Sequence, residues 1–201
     1  MMIIITGASR GIGRLLLDYY VKSNQKVIGI YNSTLPSKNP EFYEKLDVQN
    51  IETIKQLIER RKVDLQNVTL INCAGISNNG FAHKMDYDAW REVFEVNLFG
   101  TYNFIRLLLP IMREQQFGRI INFSSVVAIK PTPGVSAYAA SKSALWGLTK
   151  SIAVENASLN ITINNINLGY SDFGMIETVP EEYKNKILDQ IPVGELCSAH
   201  D

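Results

Sequence analysis

Ser125, Tyr138 and Lys142 are the residues whose types and spacing could do chemistry, all within the stretch SVVAIKPTPGVSAYAASK. From Tyr138 onward Ala144, Leu145, Leu148 and Ile152 recur at helical spacing, which predicts a helix to about Ala157. Positions four apart share a helix face, so the Tyr138 hydroxyl and the Lys142 ammonium can approach one point. A free phenol titrates near pH ~10. A nearby cation favours the phenolate and is expected to lower that pKa, towards useful proton transfer near neutrality. Ser125 closes an apolar run and can supply the hydrogen bond that holds a substrate oxygen. With nine Tyr and 20 basic residues in the chain, a Tyr-x3-Lys pair also arises by accident. Its meaning therefore depends on the elements that position it.

The first of these elements is at the amino end. Ile3-Ile4-Ile5 is a short continuous apolar run, the mark of a parallel strand covered on both faces. It leads into Thr6-Gly7-Ala8-Ser9-Arg10-Gly11-Ile12-Gly13 and an amphipathic helix to about Asn24. Strand, glycine turn and helix form an entry that cradles a dinucleotide pyrophosphate. The glycines permit close backbone approach, and the helix N-terminus faces the phosphates. Gly7, Ser9, Arg10, Gly11, Ile12 and Gly13 are the expected contacts. A second strand, Lys26 to Tyr31, ends in Tyr31-Asn32-Ser33-Thr34, with no Asp or Glu to bind a ribose 2′-hydroxyl. Arg10, Asn32 and Ser33 could instead hold a 2′-phosphate, so NADP is the expected cofactor and NAD the alternative.

The segment from Ser33 to Phe42, with Pro36 and Pro40, reads as a loop. A third strand near Glu44 to Leu46 ends at Asp47-Val48, and Gln49 or Asn50 caps a helix from about Ile51 to Lys62. Val68 to Ile71 is a fourth strand, closing in Asn72-Cys73-Ala74-Gly75, small residues suited to close cofactor approach. A long helix is expected from Tyr87 to Glu114, with Trp90, Val93, Phe94, Asn97, Thr101, Phe104 and Leu108 on one stripe. Asn97 is then a buried amide that needs partners, through a bond back to its own helix or by ordering a water beside Lys142. Gly118 to Ser124 and Ile161 to Ile166 are the fifth and sixth strands, with Ser125 at the carboxyl end where ligands sit in open α/β sheets. After Gly169 the chain reads as irregular, with a short helix near Glu181 to Gln190.

Composition narrows the class. The 201 residues suit one α/β domain, 46% hydrophobic and 20% charged. Zero formal net charge gives no long-range attraction to nucleic acid or an anionic membrane. Cys73, Cys197, His83 and His200 have neither disulfide-framework nor metal-ligand spacing, and no segment is long enough to span a bilayer. A reducing, cytoplasmic setting is expected.

Taken together, Thr6-Gly7-x3-Gly11-x-Gly13, Asn72-x-Ala74-Gly75, Val96-Asn97, Ser125 and Tyr138-x3-Lys142 resemble the compact short-chain dehydrogenases/reductases, over essentially the whole chain. The subgroup most similar is the bacterial β-ketoacyl-carrier-protein reductases and their ketoreductase relatives. The resemblance implies a Rossmann-like, doubly wound parallel sheet of strand order 3-2-1-4-5-6 and hydride transfer between NADP(H) and a carbonyl or secondary alcohol, free or carrier-bound. It implies Tyr138 as general acid or base and Ser125 as the holder of the carbonyl oxygen. Lys142 would tune Tyr138 and bind the nicotinamide ribose, and Asn97 would hold a relay water. Asp47 and Val48 would meet the adenine, with Asn72, Ala74 and Gly75 walling the adenosine ribose. It also implies a homo-oligomer, dimer or tetramer, pairing through the helices at Tyr87 to Glu114 and Tyr138 to Ala157.

Three departures stand out. The helix that links the second and third strands in the family is replaced by the loop at Ser33 to Phe42. Leu168-Gly169 and Phe173 stand where the family often has Pro-Gly and a Thr near the nicotinamide carboxamide. The family also continues past the place of Ile191-Pro192-Val193-Gly194 with a helix and a last strand. Ile161 to Ile166 is therefore expected to form an edge, with Tyr170 to Glu195 poorly held and the natural chain longer or the edge covered by a partner. That segment, with Met175, Ile176 and Val179, is expected to wall a partly apolar substrate pocket. Two other readings share some of these features: a sugar-nucleotide epimerase or dehydratase, and a non-catalytic nucleotide-binding scaffold.

Overall fold

The computed structural model describes residues 1–34, 36–174, 176, 179 and 181–198. Six parallel strands build one sheet: β1 (Met2–Thr6), β2 (Lys26–Tyr31), β3 (Tyr43–Lys45), β4 (Val68–Asn72), β5 (Gly118–Ser125) and β6 (Ile161–Leu168), in the order β3-β2-β1-β4-β5-β6. The helices are α1 (Gly11–Lys22), α2 (Ile51–Arg61), α3 (Tyr87–Phe94), α4 (Gly100–Gln115), α5 (Ser136–Asn156) and α6 (Glu181–Leu188). The central strands read as unbroken apolar runs because both faces are covered: Ile3, Ile4 and Ile5 are all buried. On one face Ile54 and Leu57 of α2, Phe104 and Leu108 of α4 and Ile152 of α5 pack against Ile4, Leu70 and Ile120. On the other, Leu17 of α1 meets Ile3, Ile5, Val27 and Ile71.

Local chemistry sets the helix starts. The Asn50 side chain accepts from Thr53 N at 3.1 Å, and that of Asp86 from Ala89 N at 2.9 Å, so each cap satisfies one of the unpaired first-turn amides. Among the described residues from Ser33 to Phe42 there is no linking helix, only a short 3-10 turn at Pro40–Phe42. Tyr43 takes over part of its work. It packs against the α1 face of the sheet and donates its hydroxyl to the Ala8 carbonyl in the glycine turn at 3.2 Å.

The single helix expected from Tyr87 to Glu114 is divided. A π turn at Glu95–Phe99 separates α3 from α4, with Asn97 at its centre. The buried residues Val93, Asn97 and Thr101 are spaced by four twice running, further than an α-helix of about 3.6 residues per turn keeps aligned. The extra residue of a π turn restores the alignment.

A polar row crosses the sheet under α5. Thr6, Asn72, Asn122 and Asn165 are successive register partners on β1, β4, β5 and β6. Asn72 Nδ2 donates to Asn122 Oδ1 at 2.9 Å, and Asn122 Nδ2 to Thr149 Oγ1 at 3.0 Å. Thr149 Oγ1 in turn donates to Asn165 Oδ1 at 2.7 Å. Thr149 lies about two helical turns past Lys142, so this chain of bonds fixes the height of α5 over β5.

Among the described residues β6 is a sheet edge, and Thr162, Asn164, Ile166 and Asn167 are exposed on it. The segment after it is better held than the sequence suggests. Cys197 N donates to the Tyr170 carbonyl at 2.9 Å and Asp172 N to the Cys197 carbonyl at 3.0 Å. Ile176 is buried, while α6 has no buried residue. Met175 and His200 lie outside the described residues.

Candidate active site

The carboxyl end of β5 delivers Ser125 in an extended conformation, its Oγ accepting from Val127 N at 3.3 Å. Tyr138 stands in the first turn of α5, which begins two residues earlier than the periodicity suggests, at Ser136. The Ser125 hydroxyl is near enough to the Tyr138 phenol to favour its charged form. Two hydroxyls, one from a strand end and one from the following helix, therefore face one space.

Lys142 is 5% exposed, and its Nζ donates to the Phe123 carbonyl at 2.7 Å. The stitching continues beside it: Ser124 Oγ donates to the Lys142 carbonyl at 3.0 Å and accepts from Trp146 Nε1 at 3.3 Å. Burial pushes the Lys142 ammonium down to about 8, with the Cys73 thiol pulling the other way. Burial also raises the Cys73 thiol well above its usual range.

The expectation for Tyr138 is corrected here. Its phenol is raised, not lowered: burial is the main cause, the neighbouring Ser125 hydroxyl opposes it, and the Tyr170 phenol adds to the rise. The reason is geometric. The Lys142 ammonium is committed to the Phe123 carbonyl and lies 5.7 Å from the centroid of the Tyr138 ring, so desolvation of the phenolate outweighs it.

Asn97 is fully buried and makes no bond back to its own helix. Its Oδ1 accepts from Ile76 N at 2.8 Å, and its Nδ2 donates to the Ile76 carbonyl at 3.0 Å and to Ser141 Oγ at 3.0 Å. Ser141 Oγ donates onward to the Tyr138 carbonyl at 2.8 Å. The π turn thus clamps the segment after β4 and reaches the helix that carries Tyr138. Thr101 Oγ1 donates to the Asn97 carbonyl at 2.9 Å.

The glycine turn has the shape a pyrophosphate requires. Gly7, at φ +64°, abuts Ala74 so closely that a Cβ would lie 2.7 Å from the Ala74 backbone, and one on Gly13 would lie 2.4 Å from the Gly7 carbonyl oxygen. Arg10 occupies the N-cap of α1 with no side-chain capping bond, which leaves the first-turn amides for an anion. Ser9, Gly11 and Ile12 are half-buried at this end. At Gly75 a Cβ would lie 3.3 Å from Asn97 Oδ1 and 3.4 Å from Lys142 Nζ, so a missing side chain keeps open the floor between them. These features fit a dinucleotide.

Other expected contacts are placed as follows. Arg10, Asn32 and Ser33 are exposed. Asp47 Oδ1 accepts from Gln49 N at 2.9 Å. Val48 is buried against Gly100, and its carbonyl accepts from Asn103 Nδ2 at 3.0 Å. Asn72 turns its side chain to Asn122, and Ala74 N donates to Thr6 Oγ1 at 3.1 Å. Among the described residues no group of His, Cys, Asp and Glu could hold a metal ion, and no helix is long and apolar enough to cross a membrane.

Comparison with known proteins decides what this arrangement is. The family model of short chain dehydrogenase matches residues 1–184. The chain belongs to the short-chain dehydrogenase family. As such it is an NAD(P)-dependent oxidoreductase. It is 35% identical to the acetoacetyl-CoA reductase of Shinella zoogloeoides, over 96% of this chain and 83% of that protein. It is 33% identical to the 3-oxoacyl-[acyl-carrier-protein] reductase FabG of Haemophilus influenzae, over 98% of this chain and 85% of that protein. The crystal structure of 3-oxoacyl-[acyl-carrier protein] reductase from Brucella melitensis superimposes with a TM-score of 0.89 at 30% identity, covering 98% of this chain and 79% of that one.

For this short-chain dehydrogenase the sequence reading passed over Ser141, Ser124 and the Phe123 carbonyl. Ser141 had a signal, a small polar residue three positions after Tyr138 on an otherwise apolar face. The Phe123 carbonyl had none, since any residue type supplies one. Gly174 comes to the glycine turn, where a Cβ on it would lie 3.6 Å from Gly11 Cα.

Proposed function

We propose that the protein reduces the ketone of 3-oxoacyl thioesters, free or carrier-bound, with NADPH. The observation that carries this reading is the hydroxyl pair of Ser125 and Tyr138 at the carboxyl end of β5, backed by the buried Lys142. The nicotinamide, when bound, supplies the hydride. Ser125 and Tyr138 both donate to the ketone oxygen, and Tyr138 gives up its proton as that oxygen gains charge. A phenol raised by burial is fully protonated at neutral pH, which suits reduction. Lys142 holds its ammonium beside the Tyr138 ring, stabilises the phenolate once formed and meets the ribose hydroxyls. Asn97 holds the relay water between the Ile76 segment and Lys142.

The cradle at Gly7 to Gly13, with Gly75, Ala74, Asn72, Asp47 and Val48, takes the dinucleotide. Arg10, Asn32 and Ser33 lie exposed at its outer end and read the 2′-phosphate of NADP. Self-association uses α4 and α5, where Tyr102, Arg106, Leu109, Pro110, Ile152 and Glu155 line a shallow groove. Both cysteines are free thiols, as a reducing cytoplasm favours.

The test is NADPH oxidation across a panel of ketones, with NADH beside it and Tyr138→Phe as control. Turnover of the wild type, reduced at least about a hundredfold in the variant, is expected from the usual size of acid–base catalysis. Cofactor binding without any ketone-dependent oxidation would instead support a nucleotide-binding scaffold.

A further inference from the structure

Tyr43 opens β3 and is the register partner of Gly29 on β2. Gly29 makes room for the tyrosine ring, since a Cβ there would lie 2.9 Å from Tyr43 Cδ1 and 2.8 Å from Ala8 Cβ. The Tyr31 ring meets the Tyr43 ring edge-on, their centroids 6.1 Å apart. Held in this way, Tyr43 reaches across β2 to the glycine turn and donates its hydroxyl to the Ala8 carbonyl at 3.2 Å. Ala8 is fully buried, and its own amide donates to the Ile30 carbonyl at 2.9 Å, so both of its backbone groups are fixed. Burial, with the Asp18 carboxylate, raises the Tyr43 phenol, which keeps it a donor at neutral pH.

A trans peptide points its C=O and N–H in opposite directions. The Ala8 carbonyl and the Ser9 N–H share one such plane, and no peptide among the described residues is cis. With the carbonyl held inward by Tyr43, the Ser9 N–H is turned outward, on the half-buried side of the turn. An outward amide just before a helix start is a donor to an anion. We propose that Tyr43 is a positioning residue: through the Ala8 carbonyl it sets the angle of the Ser9 amide, and so the affinity of the glycine turn for a phosphate of the dinucleotide. This rests on the cofactor reading of the cradle and adds to it a residue from outside the glycine motif.

The same loop supplies the control. Asn39, at φ +56°, donates its Nδ2 to Asp18 Oδ1 at 3.3 Å, which ties the loop to the body of α1 and not to the turn. Calorimetry with NADPH and with NADH compares the wild type, Tyr43→Phe and Asn39→Gly, alongside kcat and KM on a ketone that the wild type reduces. Tyr43→Phe keeps the ring and its packing and removes only the donor. It is expected to bind cofactor about five- to tenfold more weakly, the worth of one buried hydrogen bond, with a matching rise in the KM for NADPH and kcat within about twofold. Asn39→Gly keeps the left-handed backbone but cuts the tie to Asp18, and should leave both affinities within about twofold, as independent sites do. A merely structural role for Tyr43 would not produce this contrast. Equal loss for the two cofactors assigns the oriented amide to the pyrophosphate, and loss confined to NADPH assigns it to the 2′-phosphate; either supports the proposal. Unchanged affinities in Tyr43→Phe, or the same loss in Asn39→Gly, overturn the role of Tyr43 and leave the cofactor reading standing. A wild type that binds neither cofactor overturns both.

Discussion

Lys142 Nζ donates to the Phe123 carbonyl across 2.7 Å, so the buried cation of the candidate site is bolted to the strand that delivers Ser125. The same bond takes the ammonium out of water, and burial pushes its pKa from 10.5 down to about 8. A shift of that size corresponds to about 3 kcal/mol of folding free energy withheld while the lysine is protonated in the native state. The sign follows from proton counts. Between about pH 8 and 10.5 the unfolded chain binds more protons at this position than the folded one, so wild-type stability rises through that window from this residue.

Lys142→Met is therefore expected to lose activity without losing stability at pH 7. Removing the buried charge is favourable, while the stranded Phe123 carbonyl costs about 1–3 kcal/mol. The net change is a gain of up to about 2 kcal/mol at neutral pH. Denaturant melts at pH 7 and pH 10 check it. The wild type should gain on the variant at the higher pH, and a gap that does not change would place the lysine pKa at its ordinary value.

Asn97→Leu keeps the volume but strands both backbone groups of Ile76 and the Ser141 hydroxyl. A loss of about 3 kcal/mol is expected from buried polar groups left unpaired. Hydrogen exchange should show the Ile76 amide losing protection beyond the global loss. If the Ile76 amide keeps its protection, the clamp does not hold the segment.

Two glycines should separate function from folding. At Gly75 an added Cβ meets only side-chain atoms, Asn97 Oδ1 at 3.3 Å and Lys142 Nζ at 3.4 Å, which can yield slightly. Gly75→Ala is expected to cost under about 1 kcal/mol yet lower NADPH affinity or turnover at least tenfold. At Gly13 the obstacle is the Gly7 carbonyl oxygen at 2.4 Å, which cannot move without opening the turn. Gly13→Ala should cost about 1–3 kcal/mol or more. Thermal melts with cofactor titrations distinguish the two, and equal melting losses would remove the distinction.

Arg10→Ala should weaken NADPH about tenfold and leave NADH unchanged, since its guanidinium is exposed beside the cradle and only the former carries a 2′-phosphate. Calorimetry with both cofactors reads this directly. Equal weakening would show that Arg10 serves the pyrophosphate end instead.

Much of this protein was legible before its fold was known, for a common reason: the signals were local. Ile3 to Ile5, the glycine turn after them and the Tyr138-x3-Lys142 spacing each depend on neighbours within one or two elements. The strands fell within a residue or two of their expected ends. The order β3-β2-β1-β4-β5-β6 followed from the family resemblance that those local motifs carried.

Tertiary structure alone decided the state of the candidate catalytic groups. Whether Lys142 depresses Tyr138 depends on where its ammonium points, and the Phe123 carbonyl, a backbone group with no sequence signature, claims it. Desolvation then raises the phenol and lowers the lysine, and burial is set by every element packed around them. The partners of Asn97 came from a segment 21 residues away, brought close by the sheet and by a π turn in place of continuous helix. Spacing along a chain determines which side chains can share a face; distances, desolvation and competing hydrogen bonds arise only when distant segments close around them.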